Sequence, residues 1–314
     1  MTETGLPAVQ RDDTSVNATD GHAIPVITWR PKDKPAAILQ IFHGLSEHAE
    51  RYARFANVAT AAGYMVVAHD HRGHGKASPE SGLGHFSDAD GWNLVLQDAK
   101  SVQEKAGGQY PGLPVILLGH SMGSYIAQDF VMRHPHSVSA LVLSGSTMPS
   151  RLKVRVGRWV ARWEALRRGR RHRSQRLNAM GFGSFNRRFE PARTPFDWLS
   201  RDPAEVDLYI SDPLCGSVSS ATLWQDLLGG LLAISSVKAL QRIPSGLPVL
   251  ITGGENDPVG GRHGMTRLAA AYERTGHTTV TLKIYPGGRH EMLNETNRDE
   301  VTEDILGWME RTPL

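Results

Sequence analysis

Along the chain, apolar positions gather into short, near-continuous runs separated by longer amphipathic stretches. The runs at residues 26–30, 36–43, 65–69, 115–119, 138–144, 248–252 and 280–285 read as strands. The second contains Ala-Ala-Ile-Leu-Gln-Ile-Phe, the composition expected of a strand buried on both faces. Residues 50–62 carry Phe55, Val58 and Ala59 at helical spacing, and Gly63 closes them. Residues 92–105 place Leu94, Val95, Ala99 and Val102 on one side of a second helix. Further helices are expected at 125–133, 262–274 and 300–311. Buried strands alternating with helices imply an α/β fold: a mostly parallel central sheet with helices on both faces.

The alternation stops near Met148 and resumes at Pro248. Residues 149–236 therefore read as an inserted cap, dividing a core of 1–148 and 237–314. The insertion is Arg-rich at first, then carries Phe182, Phe185, Phe189, Phe196 and Trp198, then an apolar stretch at 223–234.

Composition is that of an ordinary globular chain: 314 residues, 40% apolar and 21% charged. No run approaches the roughly 20 apolar residues of a membrane-spanning helix. Residues 1–19 are polar and lack a signal-peptide pattern, so a cytoplasmic protein is expected. Cys215 is the only cysteine, which excludes an intrachain disulfide; a structural thiol is expected.

Charge changes the picture more. Residues 151–193 hold thirteen Arg and Lys153 against Glu164 and Glu190, a net +12 in a chain whose total is +3. Arg151, Arg155, Arg158 and Arg162 fall on one helical face; Val156, Val160, Trp163 and Leu166 fall on another. Such a basic amphipathic helix serves either as a solvated cap surface or as a peripheral contact with anionic lipid, in this case the inner membrane face. No nucleic-acid module accompanies Arg167–Arg173, and no nucleic-acid partner is expected.

The chemistry centres on Gly119-His120-Ser121-Met122-Gly123, placed between a buried strand and a helix. Two flanking glycines allow a sharp, strained turn that exposes a serine hydroxyl at the sheet edge, at a helix N-terminus. A serine needs a base and a carboxylate. His290, in the Gly-rich loop after the last strand, supplies the base. Asp257, after the preceding strand, supplies the acid; Glu255 is its rival two residues away. The oxyanion donors are assigned to the N–H groups of Met122 and of Leu45, in the loop 43–48, where Gly44 permits close approach. Gly44, His120, Leu227, Leu228 and Leu231 are the expected pocket residues, the leucines lining it from above. His69, His71 and His74 raise a metal cluster, but no carboxylate or thiolate completes a ligand set at usual spacing, so neither metal nor cofactor is expected.

The sequence resembles the α/β-hydrolase superfamily, in its monoacylglycerol lipase and lysophospholipase-like (serine aminopeptidase-like) branch. The matching segments are His43-Gly-Leu-Ser-Glu-His48 with Arg51-Tyr52, Asp70-His-Arg-Gly-His-Gly75, Gly119-His-Ser-Met-Gly123, Asp257-Pro258 and Gly288-Arg-His-Glu-Met292. The resemblance spans roughly residues 24–309 and weakens only in the insertion. It implies hydrolysis of lipid-like carboxylic esters, and it makes the segment 70–75 a structural loop fixed by Asp70 and Arg72. The alternatives are a short-chain carboxylesterase, an iminopeptidase-type peptidase and a non-catalytic hydrolase-like binding protein. Ser121, where a dehalogenase or epoxide hydrolase would carry Asp, argues against those two chemistries.

Overall fold

The computed structural model describes residues 9–79 and 82–314; the expectation for the first eight residues lies outside them. In chain order the first elements are β1 (Gln10–Asn17), β2 (Ala23–Arg30), β3 (Ile38–Phe42), α1 (Ala53–Ala61) and β4 (Met65–His69). Then come α2 (Gly91–Gln109), β5 (Val115–His120), α3 (Met122–Arg133) and β6 (Ala140–Ser144). A long helical stretch follows: α4 (Arg151–Arg168), α5 (Gln175–Phe182), α6 (Pro203–Ser211), α7 (Ala221–Ile234) and α8 (Val237–Leu240). The chain ends with β7 (Val249–Gly254), α9 (Gly261–Glu273), β8 (Val280–Tyr285) and α10 (Arg298–Arg311).

The eight strands form one sheet in the order β1-β2-β4-β3-β5-β6-β7-β8. All seven expected strands are present, and from β4 to β8 their pairings are parallel. β2 joins β1 and β4 antiparallel. β1 was not expected, because Gln-Arg-Asp-Asp-Thr-Ser-Val-Asn is polar on both faces. It lies at the sheet edge with only Val16 buried, where backbone pairing to β2 suffices and charged side chains discourage further strand addition.

Helices α2, α3, α7 and α9 cover one face, burying Val95, Phe130, Leu231 and Leu268 in a single core. Helices α1 and α10 cover the other, burying Phe55, Ile305 and Trp308 beside Trp29. Phe42 pairs with Gly119, and His120 with Ser144, so the loops leaving β3, β5 and β6 emerge side by side at one edge.

The helical stretch after β6 departs from expectation at the leucines of α7. β6 and β7 are parallel neighbours, so the chain must cross back from the end of one to the start of the other. α7 packs beside α3 and α2 along that route. Its Asp226 Oδ2 accepts the Gly91 N–H at 3.1 Å, and the Trp92 indole packs on Gly230. Leu227 and Leu231 are therefore buried in the main core. Leu228 instead meets Gly157 of α4, in an outward-opening groove. In α4 the buried positions are Val154, Val160, Ala161 and Glu164, while Leu152, Val156, Trp159, Trp163 and Leu166 are exposed among the arginines. Close packing of α4 on α7 selects the small side of α4 for burial. Of the apolar face Val156, Val160, Trp163 and Leu166, only Val160 is buried.

Candidate active site

Ser121 sits at φ 50°, ψ −118°, a strained conformation for a side chain larger than glycine. Its N–H is held by the Ser144 carbonyl at 2.9 Å, and its carbonyl accepts the Ser124 hydroxyl at 2.6 Å. The flanking glycines are required by space. A Cβ on Gly119 would lie 2.4 Å from the Gly123 carbonyl oxygen, and one on Gly123 would lie 2.1 Å from that of Phe42. The turn is thus clamped between its own two ends and β3.

Met122 is the first residue of α3, so its N–H has no partner within the helix. Facing it is the loop after β3. A Cβ on Gly44 would lie 3.3 Å from the Ser121 Cβ and 3.3 Å from His120 Cδ2, which places this backbone against the serine. The Gly44 N–H is taken by Glu47 Oε1 at 2.5 Å, and among the described residues the Leu45 N–H has no partner. Two free donors therefore flank the serine turn, one from each side.

The structure brings His290 and Asp257 together: His290 Nδ1 lies 2.9 Å from Asp257 Oδ1, which also accepts the Val259 N–H at 2.8 Å. Both residues are buried. Glu255 turns outward to Arg262 at 3.0 Å. Burial alone would push the His290 imidazole down; the charge and hydrogen bond of Asp257, with the charges of Glu291 and Glu47, outweigh it and hold the group above the ordinary histidine value. His120 lies with its ring centroid 4.7 Å from that of His290. Burial and the neighbouring His290 push it down to about 4, so it stays neutral.

Residues of the stretch between β6 and β7 complete the surroundings. Trp198 stands 5.2 Å from His290, ring centroid to ring centroid, and the Leu199 carbonyl accepts the Glu291 N–H at 2.8 Å. Ser46, at φ 60°, accepts Gly216 N–H at 2.9 Å and the Tyr209 hydroxyl at 3.0 Å on its carbonyl. A cavity of about 310 Å³ lies between these segments, lined by Leu45, Phe182, Phe196, Trp198 and Tyr209 with Gln175 and Asn178. Leu45 and Trp198 connect it to the serine and the histidine. Leu227, Leu228 and Leu231 do not line it, and Gly44 and His120 wall the serine turn instead. The aromatic residues around it were legible as an aromatic-rich stretch; their convergence on Leu45 was not.

His43, His69, His71 and His74 pack against one another, with centroids 4.3 Å apart for His43 and His71 and 4.7 Å for His69 and His71. Their nitrogens do not converge as a ligand set; among the described residues only His48, Asp212 and Cys215 bring potential ligand atoms within 4.8 Å of one another. His48 Nε2 and Asp212 Oδ2 are paired at 2.8 Å, and the charge of Arg51 acts on both Asp212 and Cys215, which disfavours a cation there. Asp70 and Arg72 do fix the loop that follows β4. Asp70 accepts the N–H groups of Ala49 and Lys76, and Arg72 spans Asp20 and Asp98.

Residues 33–297 match the family described as serine aminopeptidase, S33. The monoacylglycerol lipase of Mycolicibacterium smegmatis is 29% identical over 304 residues, covering 95% of this chain and 97% of that protein. The monoglyceride lipase of Mus musculus is 30% identical over 299 residues, covering 93% of this chain and 86% of the other. A thermostable carboxyl esterase from Bacillus coagulans, solved in complex with glycerol, superposes with a TM-score of 0.88 at 28% identity over 97% of this chain and 99% of that one. The chain belongs to the serine aminopeptidase S33 family, in the branch of α/β-hydrolases that it shares with the monoacylglycerol lipases.

Proposed function

We propose that this carboxylic ester hydrolase cleaves esters of single-chain lipids, of the monoacylglycerol or lysophospholipid type, through an acyl-enzyme on Ser121. The observation that carries the reading is the meeting of a strained serine turn, two free N–H donors and a buried His–Asp pair beside an aromatic-lined cavity. In this mechanism His290 takes the proton of Ser121 as its oxygen attacks the ester carbonyl. The Leu45 and Met122 N–H groups hold the oxyanion. His290 then protonates the leaving alcohol and afterwards activates the water that releases the acid. Asp257 keeps Nδ1 protonated and stabilises the imidazolium. The base must be neutral to act, so activity rises with pH through a value above 6.5.

The acyl chain is assigned to the cavity beneath Phe182, Phe196 and Trp198, and the polar head to the serine side. The relatives named as acting on monoacylglycerols support this class, and the glycerol complex of the esterase agrees with a small alcohol product. That esterase also favours the second reading, a short-chain carboxylesterase.

The outer face of α4 is assigned to anionic lipid. Trp159 is 69% and Leu166 78% exposed there, and Arg155, Arg162 and Arg167 make no ion pair among the described residues. No helix among the described residues is long and apolar enough to cross a membrane.

The test is Ser121→Ala assayed on p-nitrophenyl esters of graded length. Turnover and fluorophosphonate labelling should vanish while the melting temperature stays near that of the parent. Residual turnover at the parent rate removes Ser121 as the nucleophile. A rate that peaks at butyrate and collapses by dodecanoate selects the short-chain reading.

A further inference from the structure

A buried ionic network joins the two loops that carry the candidate oxyanion donor and the candidate base. Arg51 lies in a single 3₁₀ turn, Ala49–Tyr52, directly before α1. Its Nη1 donates to Glu47 Oε2 at 2.8 Å and to Glu291 Oε1 at 2.6 Å, and its Nη2 donates to Glu291 Oε2 at 2.7 Å. Glu47 Oε1 accepts the Tyr52 hydroxyl at 2.9 Å as well as the Gly44 N–H. Asn294 Nδ2 donates to Glu291 Oε2 at 3.0 Å, and the Arg51 guanidinium lies 5.0 Å from the centre of the Tyr209 ring. The side chains of Arg51, Glu47 and Glu291 are 11%, 4% and 7% exposed.

Burying two carboxylates costs stability unless each is paired and its remaining lone pairs are occupied. Here every carboxylate oxygen has a donor, and the guanidinium supplies the bidentate fork that a lysine cannot. Position gives the arrangement its meaning. Glu47 grips the N–H of Gly44, the residue before Leu45. Glu291 is the residue after His290. One guanidinium therefore ties together two loops that meet only in the folded chain.

We propose that Arg51 is a positioning residue for ester hydrolysis: through Glu47 and Glu291 it fixes the Leu45 N–H and the His290 imidazole relative to each other. The inference rests on the reading of Ser121, His290 and Leu45 given above. The network also leaves one net negative charge near the imidazole. The charged and titratable groups acting on His290 are Asp257 after β7, His120 at the end of β5, Glu47 on the loop after β3, and Glu291 on its own loop. Removing the Glu291 charge therefore lowers the proton affinity of His290.

The test uses the full chain with Arg51→Lys and Glu291→Gln. It measures kcat and KM on p-nitrophenyl butyrate across pH, and the rate constant and final extent of fluorophosphonate labelling. Loss of the fork should lower kcat by about 10- to 100-fold while KM changes by less than about twofold. In Glu291→Gln the acid limb of the profile should move to lower pH by about half a unit or more. Partial unfolding lowers the labelled fraction without lowering the rate constant, so a folding defect is read separately. Parental kcat and labelling rate constants in both variants, or an unmoved acid limb in Glu291→Gln, overturn the proposal. A parent protein that neither hydrolyses the ester nor labels overturns the Ser121 reading, and this inference with it.

Discussion

Lowering the pH below the ordinary histidine value should draw stability out of this fold, and the source is identifiable. His43, His69, His71 and His74 are fully buried beside β3 and β4. Burial, reinforced by repulsion from His43 at the other three and from His48, Arg51 and His120 at His43 itself, pushes His43, His69 and His74 down to about 3 and His71 well below its usual value. Both ring nitrogens of His69 and of His71 lack a hydrogen-bond partner among the described residues, and the nearby charge of Asp70 does not offset the burial of His69. In the unfolded chain each imidazole binds a proton near 6.5. The unfolded state therefore binds more protons, and stability is complete above that value and drains as pH falls from it toward 3. At about pH 5.5 each group has removed on the order of 1 kcal/mol, so the four together remove several kcal/mol, a sizeable share of the 5–15 kcal/mol of a typical domain. His120 acts in the same direction. His290, held above its ordinary value, opposes them with a single contribution that is present below 6.5 and lost as pH rises through its folded value. The assay is urea unfolding at pH 7.5, 6.5 and 5.5 for the parent and for His69→Phe, whose ring should settle against Phe42 and His71. The variant should lose about 1 kcal/mol less than the parent between pH 7.5 and 5.5. Equal losses in the two proteins, or a parent whose stability is flat over that range, would refute the reasoning.

Two further outcomes follow from the cavity and from the exposed face of α4. Phe182→Ala opens the cavity beside Trp198 and should shift the preferred p-nitrophenyl ester toward longer chains, each added methylene gaining up to about 0.8 kcal/mol of burial; an unchanged length profile would show that the acyl chain lies elsewhere. Arg155→Ser should weaken binding to phosphatidylglycerol vesicles about fivefold at low salt and leave phosphatidylcholine vesicles unaffected, read by co-sedimentation; equal binding by variant and parent would return α4 to the solvent.

Much of the architecture was legible because buried parallel strands are written as apolar runs, as in Ile-Leu-Gln-Ile-Phe of β3. β1 was not, since an edge strand needs backbone pairing and no apolar pattern. The candidate serine turn, acid and base were legible because each follows a strand end, and β3, β5, β7 and β8 place those ends at one edge. Which side of α4 is buried was not legible. Periodicity shows that a helix has two faces, but burial went to the side with Gly157 and Ala161, where α7 can approach closely. The members of the Arg51 network stand inside the matching segments, but their meeting was not legible, because Arg51 and Glu291 lie 240 residues apart and no periodicity or spacing links them.

α7 has a consequence for how this protein can be changed. Because it is the return path from β6 to β7 and carries part of the main core, the long helical stretch is not exchangeable as a whole. The part from Arg151 to Ser220 is tied to it too: Val154, Val160, Ala161 and Leu177 share the core of α7, and Arg173 bridges Ser220. A chimera grafted there replaces the cavity lining of Phe182, Phe196, Trp198 and Tyr209 and has to reproduce the contacts of Leu199 with Glu291 and of Tyr209 with Ser46. A graft that extends to residue 236 removes a supporting wall.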